Sequence, residues 1–64
     1  MELDPVVRRV RAEFSEMPGL RLTLEQASRL LGLEQDVCQA ALDALIAAAF
    51  LRRTQAGQIA RADQ

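Results

Sequence analysis

The stretch Leu42-Asp43-Ala44-Leu45-Ile46-Ala47-Ala48-Ala49-Phe50-Leu51-Arg52-Arg53 changes its period partway along. Up to Ala49 the pattern is helical. At 100° per residue, Cys38, Ala41, Leu42, Leu45 and Ala49 fall on one face, and Asp36, Ala40, Asp43 and Ala47 fall on the other. From Phe50 the pattern is that of a strand. Phe50-Leu51-Arg52-Arg53 is followed by turn residues Thr54-Gln55-Ala56-Gly57 and then by Gln58-Ile59-Ala60-Arg61. This predicts a helix from about Gln35 to Ala49, a β-hairpin, and a frayed end at Ala62-Asp63-Gln64.

Toward the N-terminus, Leu33 reads as a buried turn residue, and Gly32 stops an earlier helix because glycine reaches the left-handed conformation without a Cβ penalty. That helix opens at Thr23. Thr23 and Gln26 have the spacing of a capping box, and Leu24, Ala27, Leu30 and Leu31 are its expected buried side. Leu20-Arg21-Leu22 alternates and fits a short β segment that could join the hairpin as a third strand. The first helix is expected to start with Asp4 as N-cap and Pro5 at the first helical position. Val6, Val7, Val10, Phe14 and Met17 form its apolar stripe; Arg8, Arg9, Arg11, Glu13 and Glu16 cover the rest, and Pro18-Gly19 ends it. The fold class expected is mainly α with a small β part: a three-helix bundle plus a C-terminal β-hairpin, in one domain spanning residues 1–64.

Composition narrows the function. Half of the 64 residues are hydrophobic, as in a packed domain. A single cysteine forms no internal disulfide, and one cysteine without histidine makes no Cys/His zinc site, so neither metal nor cofactor is expected. Cys38 falls on the apolar face and reads as a small core residue. Ser15 and Ser28 have no histidine to activate them, Glu13 and Glu16 read as solvated surface, and Gly19, Gly32 and Gly57 form no phosphate loop. No catalysis is expected. The first four residues lack the basic and apolar regions of a signal peptide, and the apolar run Ala44 to Leu51 is far short of the ~20 residues of a membrane span. The lone thiol fits a reducing cytoplasm. Net charge is −1, and every basic residue is arginine.

Leu24-Glu25-Gln26-Ala27-Ser28-Arg29-Leu30-Leu31-Gly32-Leu33 resembles the helix-turn-helix of the winged-helix superfamily. Ala27 stands at the family's alanine inside the second helix, and Leu31, Gly32 and Leu33 stand at its leucine-glycine-aliphatic turn. Cys38, Leu42 and Leu45 match core positions of the recognition helix, and Ala49-Phe50-Leu51 matches the step into the wing, with alanine in place of the usual glycine. The resemblance covers about Val6 to Arg61. It implies a small regulator, or the DNA-reading module of one, that binds double-stranded DNA. Gln35 and Gln39 would then read adenine edges, and Arg52, Arg53 and Arg61 of the wing would hold backbone phosphate.

The same recognition face carries Glu34, Asp36 and Asp43, which phosphates repel. This leaves open a second class of function, a winged-helix protein-interaction module without DNA activity. Ala40, Ala44 and Ala47, flanked by Ile46, suit either reading: alanine is the best helix former, and it also offers a smooth surface for a partner helix. The thin core of so short a chain adds the expectation of a homodimer.

Overall fold

The computed structural model describes residues 3–63; Met1, Glu2 and Gln64 lie outside it, and with Gln64 part of the end expected to fray. Three helices, α1 (Asp4–Glu16), α2 (Leu24–Leu31) and α3 (Gln35–Ala47), precede two strands, β1 (Leu51–Arg53) and β2 (Ile59–Arg61). The strands pair antiparallel with Leu51 opposite Arg61 and Arg53 opposite Ile59. This is the expected three-helix bundle with a C-terminal hairpin, an arrangement compatible with the winged-helix layout.

Two details of α1 differ from the sequence reading. Asp4 is not the N-cap: Leu3 already has helical backbone angles and its carbonyl accepts from Val7 at 2.9 Å, so Asp4 is the first helical residue. Pro5 is then the second, where a missing N–H still removes no helical bond. Met17 is not part of the buried stripe. The helix ends at Glu16, and Met17, with φ −125° and ψ 82°, leaves the helical path and is 44% exposed.

The capping box at α2 forms as expected. Gln26 N–H donates to Thr23 Oγ1 at 3.1 Å, and Thr23 N–H donates to Gln26 Oε1 at 2.9 Å. Its buried side needs correction. Leu30 is 51% exposed, and Ser28 is buried in its place. The helical wheel explains this: positions 24, 27, 28 and 31 share a face and position 30 does not. Ser28 tolerates burial because its Oγ donates to the Glu25 carbonyl at 2.8 Å.

Both α2 and α3 end in one hydrogen-bond pattern. After α2, Leu33 N–H reaches back to the Ser28 carbonyl at 3.0 Å and Gly32 N–H to Arg29 at 3.4 Å, with Gly32 left-handed at φ 67°. After α3, Phe50 N–H reaches Leu45 at 3.0 Å and Ala49 N–H reaches Ile46 at 2.9 Å, with Ala49 left-handed at φ 62°. Each is a Schellman turn. The helix therefore stops at Ala47 and not at Ala49, and Ala49 is exposed instead of lying on the apolar face. The Leu20-Arg21-Leu22 segment likewise shrinks to one antiparallel bridge, Leu22 to Ile59. The turn ending in the Leu20 N–H to Met17 bond and the cap at Thr23 leave room for only one paired residue. At the far end, Ala62 N–H donates to the Phe50 carbonyl at 3.0 Å, so Ala62 is tied to the hairpin and not frayed.

The core gathers one face from every element. Val10 and Phe14 of α1, Ala27 and Leu31 of α2, Cys38, Ala41, Leu42 and Leu45 of α3, and Leu51 and Ile59 of the hairpin pack into one cluster. Leu33, expected to be buried, is half-buried against it. Leu42, 1% exposed at the middle of α3, should cost about 2–5 kcal/mol when cut to alanine. Urea denaturation of Leu42→Ala checks this, and an unchanged midpoint would contradict the packing. Ala49→Gly should raise stability by about 1 kcal/mol, since a Cβ in the left-handed region is strained; a lower midpoint would contradict the turn.

Candidate nucleic-acid interface

Helix α3 divides into two sides. Cys38, Ala41, Leu42 and Leu45 enter the core, which turns Gln35, Asp36, Ala40, Asp43 and Ala47 outward and leaves Gln39 half-buried at the edge. Asp36 lies in the first turn, where the partial positive charge of the helix end favours a carboxylate; its Oδ1 accepts from the Val37 N–H at 2.9 Å.

The hairpin adds its charges by strand alternation. Leu51 and Arg53 lie on one face of β1 and Arg52 on the other. Because Leu51 is anchored in the core beside α3, Arg53 is carried toward α3 as well. Its Nη2 meets Asp43 Oδ1 at 3.1 Å, both side chains being 57% exposed. The same oxygen accepts from Gln39 Nε2 at 2.8 Å. One carboxylate therefore links the outward face of α3 to the edge of the hairpin. An ion pair this exposed contributes only about 0–1 kcal/mol, so it is readily exchanged.

Arg61 has another setting. It stands opposite Leu51, at the base of the hairpin and away from the Thr54–Gly57 turn. Its guanidinium lies 5.4 Å from the Phe50 ring centroid, Arg11 of α1 lies 4.9 Å from the same ring, and Arg61 Nη2 pairs with Asp63 at 2.9 Å. Only 24% of its side chain is exposed, and its Nε is buried with no acceptor among the described residues. Arg61 thus serves the joint between α1, Phe50 and β2.

The structure accordingly brings Gln39 and Arg53 together around Asp43 and places Gln35 further along the same outward side of α3. Arg52, half-buried, lies on the opposite face of the strand, and Arg61 lies at the base. Sequence reasoning missed the joining role of Asp43. Part of it was readable, since Gln39 and Asp43 stand four apart on a helix, the spacing at which such side chains meet. The Arg53 contact was not readable, because it depends on how the hairpin leaves α3.

No pocket indents the described surface, and among the described residues no group of three or more histidine, cysteine, aspartate or glutamate side chains is placed to hold a metal ion. No described helix is long and apolar enough to cross a membrane. No family model matches the chain, and neither the curated proteins nor the solved structures contain a significant match.

Cys38 lies on the inward side of α3 and is fully buried, and burial pushes its thiol above the ordinary value. Both effects suppress the thiolate that reacts. A thiol reagent at neutral pH should label Cys38 only through unfolding, at a rate that rises with urea. Rapid labelling of the native protein would contradict the packing of α3.

Proposed function

We propose that the domain is a winged-helix module that binds duplex DNA weakly, through the outward face of α3 and the adjoining hairpin. The observation that carries this reading is the Arg53–Asp43 contact, which makes the helix face and the hairpin edge one continuous surface. Such a surface can lay an exposed helix in the major groove while the hairpin meets the neighbouring backbone. Gln35 and Gln39 are the side chains suited to base edges, and Arg53 to phosphate on the same surface, with Arg52 suited to phosphate from the other face of the strand. Arg61 is set aside from the contact set, since its guanidinium is engaged by Phe50 and Asp63.

A second reading, a protein-docking module, is favoured by a different observation. Arg53 and Arg61 both have carboxylate partners, and Asp36 and Asp43 stand on the outward side of α3 with Glu34 at its N-cap. A carboxylate-rich face suits a basic partner better than it suits DNA.

A fluorescence-anisotropy titration against random-sequence duplex, repeated over a range of salt, separates the two. Two phosphate contacts allow a slope of log affinity against log salt no steeper than about −2, reached when Arg53 is fully released from Asp43. Replacing Arg52 and Arg53 together by alanine should weaken binding to every sequence and flatten that slope by up to roughly 2. Absence of binding at low salt would overturn the DNA reading in favour of protein docking.

A further inference from the structure

We propose that Asp43 is the residue that limits how strongly this surface takes duplex of arbitrary sequence, by standing in for a DNA phosphate on Arg53; the inference rests on the DNA reading above. One oxygen, Asp43 Oδ1, holds both the hairpin cation and the helix amide: Arg53 Nη2 at 3.1 Å and Gln39 Nε2 at 2.8 Å. Arg53 is suited to phosphate and Gln39 to a base edge, so one carboxylate holds a side chain of each kind of DNA contact.

A carboxylate and a phosphate oxygen offer a guanidinium the same charge-assisted hydrogen bond. DNA must therefore displace Asp43 to recruit Arg53, and the freed carboxylate then faces the phosphates it repels. With the pair 57% exposed on both sides, water assists the exchange, so the contact acts as a competitor and not as a lock. A duplex whose bases bond Gln35 and Gln39 compensates for the exchange; an arbitrary duplex does not. Asp43 in this way favours discrimination over bulk affinity. Asp36 lies on the same outward side, but its Oδ1 is occupied by the Val37 N–H, and it provides a control for charge alone.

The test is a random-duplex titration over salt with five proteins: wild type, Asp43→Asn, Asp36→Asn, Arg53→Ala, and Asp43→Asn combined with Arg53→Ala. Asparagine keeps an oxygen for Gln39 and removes the charge that holds Arg53. Asp43→Asn should bind roughly three- to tenfold more tightly at low salt, with a slope steeper by about 0.9, the increment for one more phosphate contact. Asp36→Asn should tighten binding less and leave the slope in place. In the absence of the Arg53 guanidinium, the Asp43→Asn gain should shrink to less than about twofold, the residue of simple charge removal. Wild-type binding that Asp43→Asn leaves unchanged, or an equal gain from Asp36→Asn at the same slope, would overturn the inference and leave the DNA reading standing. Failure of both wild type and Asp43→Asn to bind at low salt would overturn the DNA reading itself, and the inference with it.

Discussion

The left-handed turn at Ala49 is the constraint on which the rest of the architecture depends. Two backbone bonds, Phe50 to Leu45 and Ala49 to Ile46, close the end of α3 and reverse the chain's direction. The reversal brings Leu51 into the core beside Leu42 and Leu45, and the pleat of the strand then fixes where Arg52 and Arg53 face. Were α3 to continue through Ala49, Leu51 would travel away from the bundle, Ile59 would lose its partner strand, and the bridge to Leu22 would have nothing to pair with. A residue with a Cβ holds this turn at a conformational cost of about 1–2 kcal/mol. Burial of Leu51 and Ile59, worth about 1.5–3 kcal/mol each for a fully buried aliphatic side chain, exceeds it.

The same turn gives α3 two functions. Its inner side is the centre of the core, touched by α1, α2 and the hairpin, so its position is determined by packing. Its outer side is free to vary, and here it carries carboxylates and amides instead of the lysines and arginines of a strong DNA grip. Arginines elsewhere are given structural work. Arg11 and Arg61 cover Phe50, and cation–π contacts of this kind hold an aromatic ring that is only half-buried. Arg29 pairs with Glu25 along α2. Among the described residues, Arg29, Arg53 and Arg61 stand in ion pairs, and on the α3 side of the hairpin attraction to an anionic partner depends on whether the Arg53 pair can be exchanged.

What was legible in the sequence was what local chemistry determines. The capping box at Thr23 and Gln26, the glycine stop at Gly32 and the change of period near Phe50 each act over a few residues, and together they specified three helices and a hairpin. Ala49 was legible as the position where glycine would be usual. Hydrophobicity alone misplaces two side chains: Leu30 is a leucine on the outer side of the wheel, with Ser28 inside, and Met17 keeps the helical spacing but lies past the last helical residue. The candidate site was legible only as a set of residue types. That Arg53 joins Gln39 on Asp43, while Arg61 turns to Phe50, follows from the angle at which the hairpin leaves α3, which no local pattern encodes.

The most direct measurement of the central claim, that the outward face of α3 and the hairpin edge form one DNA-facing surface, is an NMR titration of the isotope-labelled domain with duplex DNA, followed residue by residue. Amide shifts concentrated at Gln35, Gln39 and Asp43 and along Arg52 to Gln58, with Arg8 and Arg9 of α1 undisturbed, are the predicted result. Shifts confined to α1, or no shifts at low salt, would contradict it.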